Sequence, residues 1–189
     1  MKRMLLHTCC APCSIYPLDR LRRQGWVVHG FFFNPHIHPY QEFIKRLETL
    51  QSYAESVGLP LIVREDYDTV AFFRQVAFRE SDRCLYCYSL RLEAAARLAA
   101  KSRFDAFSTT LLYSKRQNHS LVRSLAEGAS HTFGIPFHYE DFREGWKLGQ
   151  ERSRELGIYR QQYCGCIYSE EERFKRPTVK RPSRTFQHP

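Results

Sequence analysis

The chain has 189 residues, a formal charge of +9, and 43% apolar and 14% aromatic content. That composition supports one domain with a sizeable core and excludes a largely disordered chain. No stretch reaches the roughly 20 apolar residues of a membrane span, and the run Met4-Leu5-Leu6 is too short for a signal-peptide h-region, so a cytoplasmic protein with no membrane partner is expected.

Residues 3–7 predict a short buried strand, which runs into His7-Thr8-Cys9-Cys10-Ala11-Pro12-Cys13, three thiols within five positions. Apolar residues at Ile15, Leu18 and Leu21 predict a helix over 15–24. The β-branched and aromatic segment 26–33 predicts a second strand. It is closed by the turn Asn34-Pro35-His36-Ile37-His38-Pro39-Tyr40, whose histidines offer ligands for a metal or a phosphate. For His36 a solvent-facing or locally hydrogen-bonded place in the turn is the simpler expectation. An amphipathic helix over 40–57 ending at Gly58, a strand over 61–64 and a helical stretch over 69–78 follow.

Cys84-Leu85-Tyr86-Cys87 opens a helix running to 102, and 104–109 reads as a strand. After it, Ser108-Thr109-Thr110-Leu111 and Ser114-Lys115-Arg116-Gln117-Asn118 gather hydroxyls and cations. They suit a phosphate, or ordinary capping and solvation. Residues 119–133 predict a helix, 135–139 a strand, and 143–156 a helix stopped by Gly157. Strand and helix in turn imply an α/β sandwich with a mostly parallel sheet covered on both faces. Its functional loops then share the rim beyond the carboxyl ends of the strands.

Seven cysteines fall in three bunches: Cys9, Cys10 and Cys13; Cys84 and Cys87; Cys164 and Cys166. Such bunching points to metal or redox use in a reducing compartment rather than to a secreted disulfide scaffold. A C-x-x-C pair at a helix start can grip one centre, with its thiol pKa lowered by the helix N-terminus. Joined by the vicinal pair Cys9-Cys10, it makes a four-cysteine set for zinc or for an iron–sulfur cluster. One C-x-x-C opposite a vicinal pair is not zinc-ribbon spacing and favours iron–sulfur. Cys164-Gly165-Cys166 is either a dithiol that cycles through a disulfide or two further ligands. Cys13 is either a buried spectator or an added ligand. The preceding Tyr159-Arg160-Gln161-Gln162-Tyr163 suits stacking on an unstacked base, or core packing.

The last residues, 175–189, carry Lys175, Arg176, Lys180, Arg181 and Arg184 with three prolines and no acid. They are expected to form an unstructured basic tail beyond a single domain over 1–174. The net positive charge favours a polyanionic partner.

The motifs HTCCAPC at 7–13, FFFNPHIHPY at 31–40, CLYCYSLRL at 84–92, FSTTLLYSKRQN at 107–118 and DFREGWKLGQERSRELGIYRQQYCGCIYSEEERF at 141–174 together resemble the cobalamin-independent epoxyqueuosine reductases, the QueH family. The resemblance implies a Rossmann-like three-layer sandwich related to adenine-nucleotide-binding folds. It implies an oxidoreductase that reduces the epoxide of epoxyqueuosine at the tRNA wobble position to queuosine and water. It further implies a [4Fe-4S] cluster on Cys9, Cys10, Cys84 and Cys87, and a redox-active disulfide on Cys164 and Cys166. The electron donor stays unidentified. A second metal ion near the cluster, helped by Cys13, would provide an open coordination position that four-cysteine ligation denies. Two rivals compete with this reading. An ATP-using sulfur transferase needs a Ser/Gly-rich phosphate loop where this chain has HTCCAPC, and a zinc module that binds RNA would be colourless where a cluster protein is brown.

Overall fold

The computed structural model describes residues 1–175, so the tail, apart from Lys175, lies outside the described residues. Among these residues four strands, β1 (Arg3–His7), β2 (Val27–Phe33), β3 (Leu61–Arg64) and β4 (Ala106–Thr109), form one parallel sheet in the order β3-β2-β1-β4. Met4, Leu5 and Leu6 are fully buried, as a central parallel strand covered on both faces requires. Gly30 in β2 admits β3: a methyl there would stand 2.8 Å from Leu61 Cδ1.

Among the described residues seven helices accompany the sheet: α1 (Ala11–Arg23), α2 (Tyr40–Ser56), α3 (Thr69–Val76), α4 (Arg83–Lys101), α5 (His119–Phe133), α6 (Trp146–Glu155) and α7 (Ile167–Phe174). Helix α1 packs on β2 and against α2 and α6; α4 packs on β1, β2 and β4 and against α5. The result is a Rossmann-like three-layer α/β sandwich. Strand order reverses between β1 and β4, and in open parallel sheets the crevice at such a reversal is the place for a site. The loops that carry Cys9 and Thr110 leave the sheet there.

Three expectations are corrected. Residues 135–139 form no strand: Pro136 has no N–H to give a ladder, and contact is limited to an isolated bridge between Phe107 and Phe137. Helix α1 starts at Ala11, not at 15, because Pro12 in its first turn has the fixed φ a helix start favours and no N–H to leave unsatisfied. The segment expected as one helix over 143–156 is a short 3-10 turn, Phe142–Gly145, followed by α6. Close packing explains its glycine at 149, since a side chain there would meet the Tyr113 ring and hydroxyl.

Candidate metal and redox site

All three cysteine groups sit at helix N-termini. Cys10 is the N-cap of α1, Cys84 and Cys87 lie in the first turns of α4, and Cys166 is the N-cap of α7. The lowered pKa expected for the C-x-x-C pair is not found: burial outweighs the helix dipole and raises both Cys84 and Cys87. Spacing i, i+3 turns Cys84 and Cys87 to one side of α4.

The Cys9, Cys10 and Cys13 sulfurs lie within 4.8 Å of one another, and those of Cys9 and Cys10 are 3.8 Å apart. Among the described residues no other group of three or more Cys, His, Asp or Glu is so close. Hydrogen bonds from Cys10 and Cys13 hold the Cys9 thiol well below its ordinary pKa, aided by the Thr110 hydroxyl, which donates to Cys9 Sγ at 3.3 Å. Burial pushes Cys10 up, and hydrogen bonding to its neighbours does the same to Cys13. Gln161 donates its amide to Cys10 Sγ at 2.8 Å and to Cys13 Sγ at 3.3 Å.

Cys84, Cys87, Cys164 and Cys166 line a single cavity together with Asn34 and Arg91. Burial raises the Cys87 thiol to about 12, against the pull of Arg91. Arg91 is only 5% exposed. It donates to Cys87 Sγ at 3.3 Å and to Asn34 Oδ1 at 3.0 Å, and Asn34 in turn donates to the Thr8 carbonyl at 2.9 Å. Among the described residues no carboxylate lies within ion-pair distance of Arg91. Its charge acts on Cys87 first, then on Cys164 and Cys9, so one guanidinium bears on both sulfur groups.

The dithiol loop is held from below. Arg46, 2% exposed, donates to the Cys164 carbonyl at 2.7 Å, to the Tyr163 carbonyl at 3.1 Å and to Glu42 at 2.7 Å. Tyr159 donates to the other Glu42 oxygen at 2.6 Å. The His38 amide donates to the Gly165 carbonyl at 2.8 Å, and the Tyr163 hydroxyl donates to the His38 carbonyl. Cys164 is exposed and accepts from the Gln117 amide at 3.2 Å. Both Cys164 and Cys166 are free thiols here.

His36 is buried, not solvent-facing: it stacks on Tyr86 and packs at a tilt against Phe72, and burial takes its pKa down to about 3. Arg46 and Arg91 carry no role in the sequence reading, yet both bear a signal. Each sits within the apolar stripe of its helix, Arg46 among Phe43, Leu47 and Leu50, Arg91 among Tyr88, Leu92 and Ala95. A cation in a core register needs an internal partner.

Chemically, the arrangement offers seven unbridged thiols, helix N-termini and a buried cation, with Cys9, Cys10 and Cys13 in one group and Cys84, Cys87, Cys164 and Cys166 around an adjoining cavity. These donors suit thiolate-ligated metal and two-electron thiol chemistry.

A family profile described as "Epoxyqueuosine reductase QueH" matches residues 4–172. A relative of that name from Dehalococcoides mccartyi is 36% identical over 175 residues, covering 93% of this chain and 96% of the relative. Another from Thermotoga maritima is 34% identical over 183 residues, covering 92% of this chain and 93% of the relative. Among solved structures, a predicted subunit of tRNA methyltransferase from Methanocaldococcus jannaschii superposes with a TM-score of 0.55 at 14% identity, over 80% of this chain and 75% of that one. That likeness concerns the fold alone.

Proposed function

The chain belongs to the epoxyqueuosine reductase QueH family, and from that premise we propose how its residues carry out the reaction. The enzyme is an oxidoreductase of tRNA queuosine biosynthesis. Epoxyqueuosine at the wobble position gains two electrons and two protons, the ring carbons form a double bond, and the epoxide oxygen leaves as water.

Cys9, Cys10, Cys84 and Cys87 hold a [4Fe-4S] cluster, and the enzyme works without cobalamin. When bound, that cluster supplies single-electron transfer. The observation that carries this reading is Arg91: a guanidinium buried without a carboxylate among the described residues requires an anion beside it, and a thiolate-ligated cluster is one. Cys13 serves a second metal ion near the cluster. Its sulfur lies within 4.8 Å of those of Cys9 and Cys10, close enough to the proposed cluster ligands to serve an ion beside them.

Cys164 and Cys166 hold the electron pair. Oxidation of the two thiols to a disulfide releases two electrons and two protons, matching what the epoxide consumes. An external donor, still unidentified, then reduces the disulfide. Gln117 donates to Cys164 Sγ and helps orient it. Arg46 fixes the main chain that presents both sulfurs.

Anaerobic purification with iron and sulfide assay, followed by incubation with tRNA bearing epoxyqueuosine, tests the reading. A brown protein with about four iron and four sulfide per chain that yields queuosine is expected. A colourless zinc protein that leaves epoxyqueuosine intact would overturn it.

A further inference from the structure

A second cavity shares Cys164 with the one just described. Cys13, Arg116, Gln150, Arg160 and Gln161 line it as well. No carboxylate lines it, so its fixed charge is set by two guanidinium groups. Arg116 comes from the loop after β4 and Cys13 from the start of α1, which places the cavity over the β1/β4 reversal.

The polarity specifies a ligand. Two cations without an acid call for phosphate, and side-chain amides with an aromatic wall (Trp146 also lines the cavity) read and stack a base. One atom is left waiting: Gln161 Oε1 is buried and has no partner among the described residues, while its amide nitrogen is committed to Cys10 and Cys13. A buried acceptor left open is costly unless a bound molecule donates to it. The ligand therefore carries phosphate, an aromatic ring and an N–H or O–H donor.

We infer that this cavity receives the flipped wobble nucleotide. Arg116 and Arg160 hold its flanking phosphates, Gln161 Oε1 accepts from the substrate, and the reacting ring is set between Cys13 and Cys164. This rests on the reductase reading for the identity of the nucleotide, but the pocket is argued from its own walls.

The test uses the iron-loaded enzyme and two probes, full-length tRNA bearing epoxyqueuosine and the same tRNA with guanine at the wobble position. Arg116→Ala/Arg160→Ala is expected to raise KM and Kd about ten- to hundredfold, with kcat within about threefold and iron content unchanged. Gln161→Met is expected to narrow the preference for the epoxyqueuosine tRNA, with iron content showing whether the sulfur set is intact. Arg97→Ala/Lys101→Ala on α4 is the control for lost surface charge. If the double variant binds both tRNAs as the wild type does, or weakens no more than the control, the pocket assignment falls while turnover by the wild type keeps the reductase reading. If the wild type turns nothing over and the double variant still loses tRNA binding, the reductase reading falls and the pocket stands.

Discussion

Arg91 points its guanidinium at the sulfur of Cys87 from one turn further along α4, at 3.3 Å, and finds no carboxylate among the described residues. A permanent charge so placed is costly in an empty protein and useful beside an anionic centre. Arg91→Met is therefore expected to leave the metal-free protein near wild-type stability while lowering iron retention. Loss of a unit charge within several ångströms, at an effective dielectric constant of about 20, is worth on the order of 3 kcal/mol, so the cluster's midpoint potential should fall by on the order of 100 mV. Arg91→Lys should recover part of it. Potentiometric titration followed by electron paramagnetic resonance reads the shift, and an unchanged potential would remove Arg91 as the counter-charge.

Arg46 is a different device, a clamp. Arg46→Met strands Glu42, whose side chain is 10% exposed, and releases the carbonyls of Tyr163 and Cys164. Breaking a buried pair on one side costs roughly 3–5 kcal/mol, or about 10 °C in Tm for a chain of this size. The freed loop should also let a thiol reagent label Cys164 and Cys166 faster. Differential scanning calorimetry and timed alkylation with peptide mass mapping measure both, and a large loss of Tm with unchanged labelling would make Arg46 structural only.

Acid should unfold the metal-free protein in a definite window. Burial lowers His36 to about 3 and His38 to about 4, from an ordinary value of 6.5. Between those values the unfolded chain binds protons that the native state refuses, so stability is full above pH 6.5, falls as pH drops toward 4, and levels off below about 3. His36→Gln should flatten part of that fall. Urea midpoints across a pH series test the slope, and a slope that the variant leaves unchanged would rule His36 out as a source.

Cys164→Ser should separate one turnover from many. With the cluster reduced chemically beforehand, a single round survives. Repeated turnover drops by at least about tenfold, because one thiol cannot store an electron pair. Quantifying queuosine in nucleoside digests over time decides the matter, and full multiple turnover would end the relay role.

Much of this was legible in the residues, and the exceptions have causes. The apolar run of Met4 to Leu6 and the alternation of strand and helix locate β1 and its neighbours because burial on both faces leaves an unmistakable composition. Helix α7 escapes detection because Ile167–Phe174 is only eight residues long and buries none of them. At the site, the cysteines announce themselves by bunching, whereas Asn34, Arg46 and Arg91 matter only through partners remote in sequence. Arg46 meets Cys164 across 118 positions, and Arg91 meets Asn34 across 57. Their one local clue is a cation where the helix register demands a hydrocarbon.

The sulfur donors are drawn from the opening, middle and closing parts of the chain. No nascent fragment short of Cys87 holds both halves of the proposed ligand set, and none short of Cys166 holds the dithiol. On that proposal, metal loading would be a late step in biogenesis. The filled centre would tie together segments remote in sequence, so the loss of iron to oxygen would lower the stability of the whole sandwich rather than of a single loop.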